Sequence, residues 1–265
     1  MRTVRDTTIA GDIIHRLVKC PSGKHGGKRK NKLNITSDKV KKNNFRLAMF
    51  RLWMLICNNF SSKDGHYSLT YAVEVDRERA AKDRKNFIDR LKRKYKKLGM
   101  ELKYIVVTEY KNHRIHHHFI INSLDVEMIQ RVWGKGAVHI TPLYEEGDYH
   151  NLAEYLIKET EKTFREKDSI HKQRYSHSKN LIMPVTKREE VSAKAFSQDP
   201  KPTKGYYIPK DRVRQFEHPV TGLMHLEYIE VALKTPKCKT WPKGKRVEHK
   251  ERYKVNYIEE QERIL

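Results

Sequence analysis

Arg114-Ile115-His116-His117-His118-Phe119-Ile120-Ile121 is the stretch on which the reading of the fold turns. Three histidines run into three apolar residues, the composition of a buried strand. Side chains alternate along a strand, so His116 and His118 share one face and His117 takes the other. Two imidazoles about 7 Å apart on one face can share a divalent metal. A chance cluster is the alternative, because 14 histidines are spread along the chain.

The segment before it, Leu102–Glu109 (LKYIVVTE), is also a strand by composition. If Asn112-His113 form a two-residue turn, Glu109 faces His116 and Val107 faces His118. A four-residue loop gives the same pairing. This register sets the Glu109 carboxylate beside the imidazoles, a three-ligand set that leaves positions open for substrate oxygens. Further out, His66–Val75 reads as a strand. A helix runs from an Asp76 cap to Leu98, ended by Gly99. Leu124–Trp133 is a short helix stopped by Gly134, and Gly136–Leu143 is a fourth strand. The order is β-α-β-β-α-β, a split βαβ α+β arrangement of the ferredoxin-like type with the histidine strand inside an antiparallel sheet.

Asn44–Phe60 carries apolar residues at helical spacing and is expected to pack on this sheet. Asp148–Arg165 forms another helix, with Tyr149, Leu152, Ala153, Leu156, Ile157, Thr160 and Phe164 on one face. Tyr155 falls outside that face, beside Asn151, Lys158, Glu159 and Lys162, and is placed to be used. Its plainer reading is a boundary tyrosine covering the helix edge. Lys158, one turn on, can hold a phosphate near the phenol and stabilise its anion.

The remainder is polar and basic. Residues 1–43, centred on Ser22-Gly23-Lys24-His25-Gly26-Gly27-Lys28-Arg29-Lys30-Asn31-Lys32, read as a flexible phosphate-binding arm or a plain solvated tail. The stretch Arg174-Tyr175-Ser176-His177-Ser178-Lys179-Asn180-Leu181 suits a loop that meets phosphates and stacks bases, or a solvated connector. The expected layout is an arm at 1–43, a catalytic domain at 44–184, a linker at 185–204 and a small basic β-containing extension at 205–265.

Lys and Arg number 56 against 33 Asp and Glu, a net charge of +23. That excess calls for a polyanionic partner, nucleic acid before membrane, since no basic amphipathic helix with aromatic anchors stands out. No apolar run is long enough for a membrane span, and no signal peptide is expected. Cys20, Cys57 and Cys238 stand alone, against both a disulfide framework and a zinc ribbon, and fit a reducing cytoplasm. A GxxxxGK[ST] phosphate loop is absent, against a fused helicase.

Taken together, the motifs resemble those of HUH endonucleases, most closely the single-tyrosine rolling-circle replication initiators of small phages, plasmids and mobile elements. Ser68-Leu69-Thr70-Tyr71 is similar to the first initiator motif. His116-His117-His118 is similar to the His-hydrophobic-His metal motif, and Tyr155-Leu156-Ile157-Lys158 to the motif of the catalytic tyrosine. Ser178-Lys179-Asn180-Leu181 with Pro184 resembles a stretch that follows the tyrosine in phage and plasmid members. The likeness spans roughly residues 44–184.

It implies that Glu109, His116 and His118 hold Mg²⁺ or Mn²⁺ while Tyr155 attacks a phosphodiester and Lys158 positions the DNA. The products are a 5′-phosphotyrosine and a 3′-OH that primes a host polymerase. Thr70, Lys162, Arg174 and Lys179 are the expected DNA contacts. The implied partners are single-stranded DNA, an origin hairpin, and a host polymerase and helicase, in a host-cell cytoplasm that the family's distribution makes bacterial. Two features depart from the pattern: His117 replaces an apolar residue, and a second catalytic tyrosine is absent. Rival readings are an HUH transposase or relaxase with the same chemistry, a non-catalytic nucleic-acid-binding module on the same sheet, and a zinc-stabilised structural protein.

Overall fold

The computed structural model describes residues 2–21, 37–110, 114–122, 125–144, 148–161, 173–196 and 199–233. Two compact units divide the chain, Met1–Ala232 and Leu233–Leu265. The first unit begins with β1 (Thr3–Ala10), β2 (Ile13–Lys19), α1 (Asp38–Asn59), β3 (Gly65–Leu69), α2 (Arg77–Lys97), β4 (Tyr104–Glu109) and β5 (His116–Ile121). It continues with α3 (Val126–Trp133), β6 (Val138–Pro142), α4 (His150–Glu161), β7 (Ser176–His177), β8 (Thr186–Val191), β9 (Tyr206–Tyr207), β10 (Arg214–Glu217) and β11 (Met224–Ala232). The chain is an α+β protein with two antiparallel sheets.

The histidine sheet runs β6-β3-β5-β4-β7, so β5 lies at its centre as expected. Helices α2 and α3 start and stop where the sequence signals lie. The Asp76 carboxylate accepts from Arg79 N (2.6 Å) and that of Asp125 from Met128 N (2.9 Å). Gly99 (φ 67°) follows α2, and Gly134 (φ 58°) closes α3 in the left-handed conformation. Phe87, Leu91 and Tyr95 of α2 and Ile129, Val132 and Trp133 of α3 pack on Tyr67, Leu69, Val106, Phe119 and Ile121. Each large side chain buried there stabilises the fold by about 1.5–3 kcal/mol. The opposite sheet face, with Ile105, Val107 and Ile120, meets Ala153, Leu156 and Ile157 of α4, and α1 joins the same core.

Strand β3 stops at Leu69, short of the expected Val75. There the chain turns across the α3–β6 connection: Thr70 N donates to Ala137 O (3.0 Å) and Ala72 N to Lys135 O (2.9 Å). Helix α1 starts at Asp38, capped by Ser37, ahead of the expected Asn44. Its first turns are polar, so apolar spacing alone does not reveal them.

The expected layout outside the histidine sheet is corrected by the second sheet, whose order is β10-β11-β2-β1-β8 with β9 paired to β11. Residues 3–19 are a hairpin, not an arm. Gly11, with φ 56°, makes its turn, and Val4, Ala10, Ile13 and Val18 are buried. Residues 186–191, assigned to a linker, pair with β1 from Thr3↔Val191 to Thr8↔Thr186. The β unit at 206–232 is no separate extension, since β11 pairs with β2 from His225↔Lys19 to Val231↔Ile13. Of these strands β1 comes nearest to alternating in burial, β8 is almost wholly exposed and β11 is buried in runs, so no period marks them together, and their pairing is remote in sequence. The basic stretch 22–36 and the tail from 234 lie outside the described residues.

Candidate active site

The β4–β5 register is the one the sequence implied: Val107↔His118, Thr108↔His117 and Glu109↔His116. The turn expected at Asn112-His113 lies outside the described residues. On the face toward α4, Glu109 Oε2 lies 3.4 Å from His118 Nε2 and 3.9 Å from His116 Nδ1. Tyr155, on α4, stands over this group, its ring 5.4 Å from that of His118. Leu156 and Ile157 beside it are buried, while Tyr155 remains 42% exposed. The helix thus anchors its apolar face and leaves the phenol accessible.

His66 is a residue the sequence reading did not single out. Its ring stacks on His118 at 5.5 Å and meets Tyr155 edge-on at 6.4 Å. The signal was available in the pairing of β3 with β5, Ser68↔His118 and His66↔Ile120, which puts His66 and His118 on one face. Burial, with the His118 charge second, pushes His66 down to about 4. Burial and then His116 push His118 down to about 4, against an opposing pull from Glu159. Both rings are therefore neutral at neutral pH. Burial, followed by Glu159 and Glu109, raises the Tyr155 phenol, which stays protonated.

Two imidazoles and a carboxylate are the right donors for a divalent transition metal, and a ligating histidine must be neutral. His118 Nδ1 and His66 Nε2 are buried without a hydrogen-bond partner, and each offers a lone pair in the tautomer that carries its proton on the other ring nitrogen. Among the described residues, however, no group of three His, Cys, Asp or Glu side chains is arranged as a ready ligand set. The donor chemistry fits a metal, and the side chains must close in to hold one.

His117 points to the other face, fully buried. Its Nε2 lies 3.0 Å from Tyr71 Oη and its Nδ1 2.9 Å from Thr108 Oγ1. That face is locally polar, which accounts for a histidine where an apolar residue was expected. Lys158 Nζ pairs with Glu154 Oε1 at 2.9 Å, not with the phenol, so no cation supports a phenolate from that side chain. Thr70 donates to Ala137 O (3.2 Å) and lines, with Arg114 and His116, a groove of ≈ 480 Å³. Arg174 lies over the Phe45 ring at 5.7 Å. Ser178, next to Lys179, bonds to Tyr104 at the opposite end of β4 from Glu109. Lys162 is outside the described residues.

Residues 66–164 match a family model described as replication-associated protein, of the ORF2 type. The matched span runs from β3 past α4, taking in Glu109, His116, His118 and Tyr155, and it supports a replication initiator. No curated protein and no solved structure matches the chain significantly. Among the described residues no helix is long and apolar enough to cross a membrane.

Proposed function

We propose that the chain is a single-tyrosine HUH endonuclease that starts rolling-circle replication by nicking one DNA strand. The observation that carries this reading is the convergence of Glu109, His116 and His118 on one face of the sheet beneath the exposed Tyr155 ring. The β6-β3-β5-β4 strand order, with α2 and α3 on the far face, supports the ferredoxin-like HUH architecture.

In this reading the Tyr155 hydroxyl, exposed to solvent, attacks the scissile phosphorus and passes its proton to water, which returns one to the leaving oxygen. A Tyr Oη–P bond forms, the P–O3′ bond breaks, and the leaving 3′ oxygen gains a proton. The strand is left with a 5′-phosphotyrosine and a free 3′-OH. One phosphoester replaces another, so the step reverses without ATP. Glu109, His116 and His118 would hold Mg²⁺ or Mn²⁺, which when bound polarises the phosphate and offsets its charge. Burial beside Glu159 and Glu109 keeps the free phenol protonated. Thr70, Arg114 and His116 line the groove in which the strand would lie. Single-stranded DNA, presented alone or in an origin hairpin, is the substrate, and the 3′-OH would pass to a host polymerase and helicase.

Covalent capture tests this. The protein is incubated with pooled single-stranded oligonucleotides and Mn²⁺ and resolved on a denaturing gel. A protein–DNA adduct lost in Tyr155→Phe and in EDTA is the expected result. An adduct that survives Tyr155→Phe moves the nucleophile elsewhere. Tight salt-sensitive binding with no adduct on any pool rejects the nuclease reading.

A further inference from the structure

A second cavity lies away from the Tyr155 face, where α1 and the start of α4 meet the second sheet. It measures ≈ 50 Å³, and its lining includes Arg46, Trp53, His150, Arg212, Arg214 and Glu227, but not Glu109, His116, His118 or Tyr155. A cavity of this size has room for a few waters or one small oxyanion, at about 10–15 Å³ per water.

Its polar atoms are mostly donors. Trp53 is 4% exposed, and its Nε1 and the Arg46 Nε are both buried without a hydrogen-bond partner. Indole and guanidinium groups donate and never accept, so each lacks an acceptor. An unmet buried donor costs about 1–3 kcal/mol, which an incoming oxygen would recover. The two carboxylates nearby are already engaged. Glu227 Oε1 lies 2.8 Å from His15 Nε2 and 3.5 Å from Arg46 Nη1. Asp148 Oδ2 accepts from Arg212 Nη2 at 2.5 Å. Arg212 is shared between Asp148 and Asp211, whereas the Arg214 side chain makes no hydrogen bond or ion pair among the described residues.

The Trp53 ring packs against three others, edge-on to His150 at 4.9 Å, to His15 at 6.1 Å and to Phe50 at 6.4 Å. Its N–H direction is therefore set before any ligand arrives. Two buried donors without an acceptor, beside the Arg214 guanidinium, are matched by a tetrahedral oxyanion. A carboxylate has fewer acceptor sites, and a nucleobase is too large for the cavity.

We propose that this cavity binds a phosphate group, as a second anion site of the chain separate from the candidate nuclease face. The phosphate could be carried on a DNA backbone or on a small free ligand. The site stands on its own residues and does not depend on the nuclease reading.

The test uses the full chain with ¹⁵N-labelled indole groups. The sequence holds three tryptophans. The Trp53 resonance is assigned by its loss in Trp53→Phe, and Trp133, whose Nε1 already donates to Thr70 O at 2.8 Å, serves as an internal control. Inorganic phosphate, a deoxynucleoside 5′-monophosphate and a short single-stranded oligonucleotide are titrated separately at matched ionic strength. The expected result is a saturable shift of the Trp53 signal, with Trp133 unmoved by inorganic phosphate and the monophosphate, and affinity weakened at least about tenfold in Arg46→Gln and in Arg214→Gln. Arg214 lies on an exposed edge strand, so its variant tests the site without endangering the fold. Saturation by the oligonucleotide alone assigns the phosphate to a DNA strand, and saturation by the small ligands assigns a free one. A Trp53 signal that none of the three moves overturns the site. So does a shift reproduced by chloride, or one equal in wild type and both arginine variants.

Discussion

The Tyr155 ring stands edge-on to the His118 imidazole, centroids 5.4 Å apart and planes at 86°. The phenol is thus carried by α4 and the imidazole by β5, two elements held together by the apolar face next to Tyr155. Glu109 reaches the same imidazole from β4. A metal held there would depend on the carboxylate charge, whereas DNA affinity in so basic a chain would depend on many phosphate contacts.

Glu109→Gln should therefore reduce adduct formation by about 100-fold or more at fixed Mn²⁺ while leaving DNA affinity nearly unchanged. Adduct bands quantified against time, with binding measured in parallel by anisotropy, check this. Equal losses in both would mean that Glu109 serves binding and not chemistry.

His117 should behave in the opposite way. It is fully buried, with Tyr71 and Thr108 on its two ring nitrogens. His117→Ala removes a buried ring and its hydrogen bonds to Tyr71 and Thr108, the latter still meeting Arg84, at a cost of about 2–4 kcal/mol. Denaturant melts should register that loss, while adduct formation below the melting range stays within about threefold of wild type, unlike Glu109→Gln. A large loss of adduct in a still-folded His117→Ala would place His117 in the site.

Much of this arrangement was legible because it is local. Asp76, Gly99 and Gly134 announce helix ends through their own backbone chemistry, and the β4–β5 register follows from a short connection. What was not legible is remote. His66 joins the site through a strand some fifty residues from β5 in sequence, so its face is known only once the strand order is known. The ion pair of Lys158 with Glu154 competes with the phenol and no motif reports it. The second sheet brings β1 against β8 and β2 against β11, pairings that no local periodicity encodes.

Gly136 links the fold to the groove. A Cβ there would collide with Thr70 O and lie 2.8 Å from Ala72 N. Backbone atoms cannot yield as a flexible side chain can, so Gly136→Ala must displace residues 70–72, which line the groove beside His116. The expected outcome is a loss of about 1–3 kcal/mol in stability together with weaker single-strand binding. Melting curves and anisotropy read the two effects. Unchanged binding would remove the 70–72 segment from the DNA path.

Asp6 gives the second sheet a pH dependence whose sign can be stated. Its carboxylate accepts from Arg188 Nε (2.6 Å) and Nη2 (2.9 Å) and meets Lys19 Nζ at 2.6 Å, tying β8 and β2 to β1. Burial alone would raise its pKa, but the hydrogen bonds and charges of Arg188 and Lys19 outweigh that, and the pKa falls below its ordinary 3.8. A depressed carboxylate contributes stability that is complete above the unfolded value and is lost as pH falls through the folded one. Arg188 is largely exposed, which screens part of the interaction. Asp6→Asn should therefore cost about 1–2 kcal/mol at neutral pH. In urea melts the gap between Asp6→Asn and wild type should hold down to about pH 4 and close below it. A gap that stays constant into acid would mean that the loss comes from the amide group placed against Arg188 and Lys19 and not from the ionisation of Asp6.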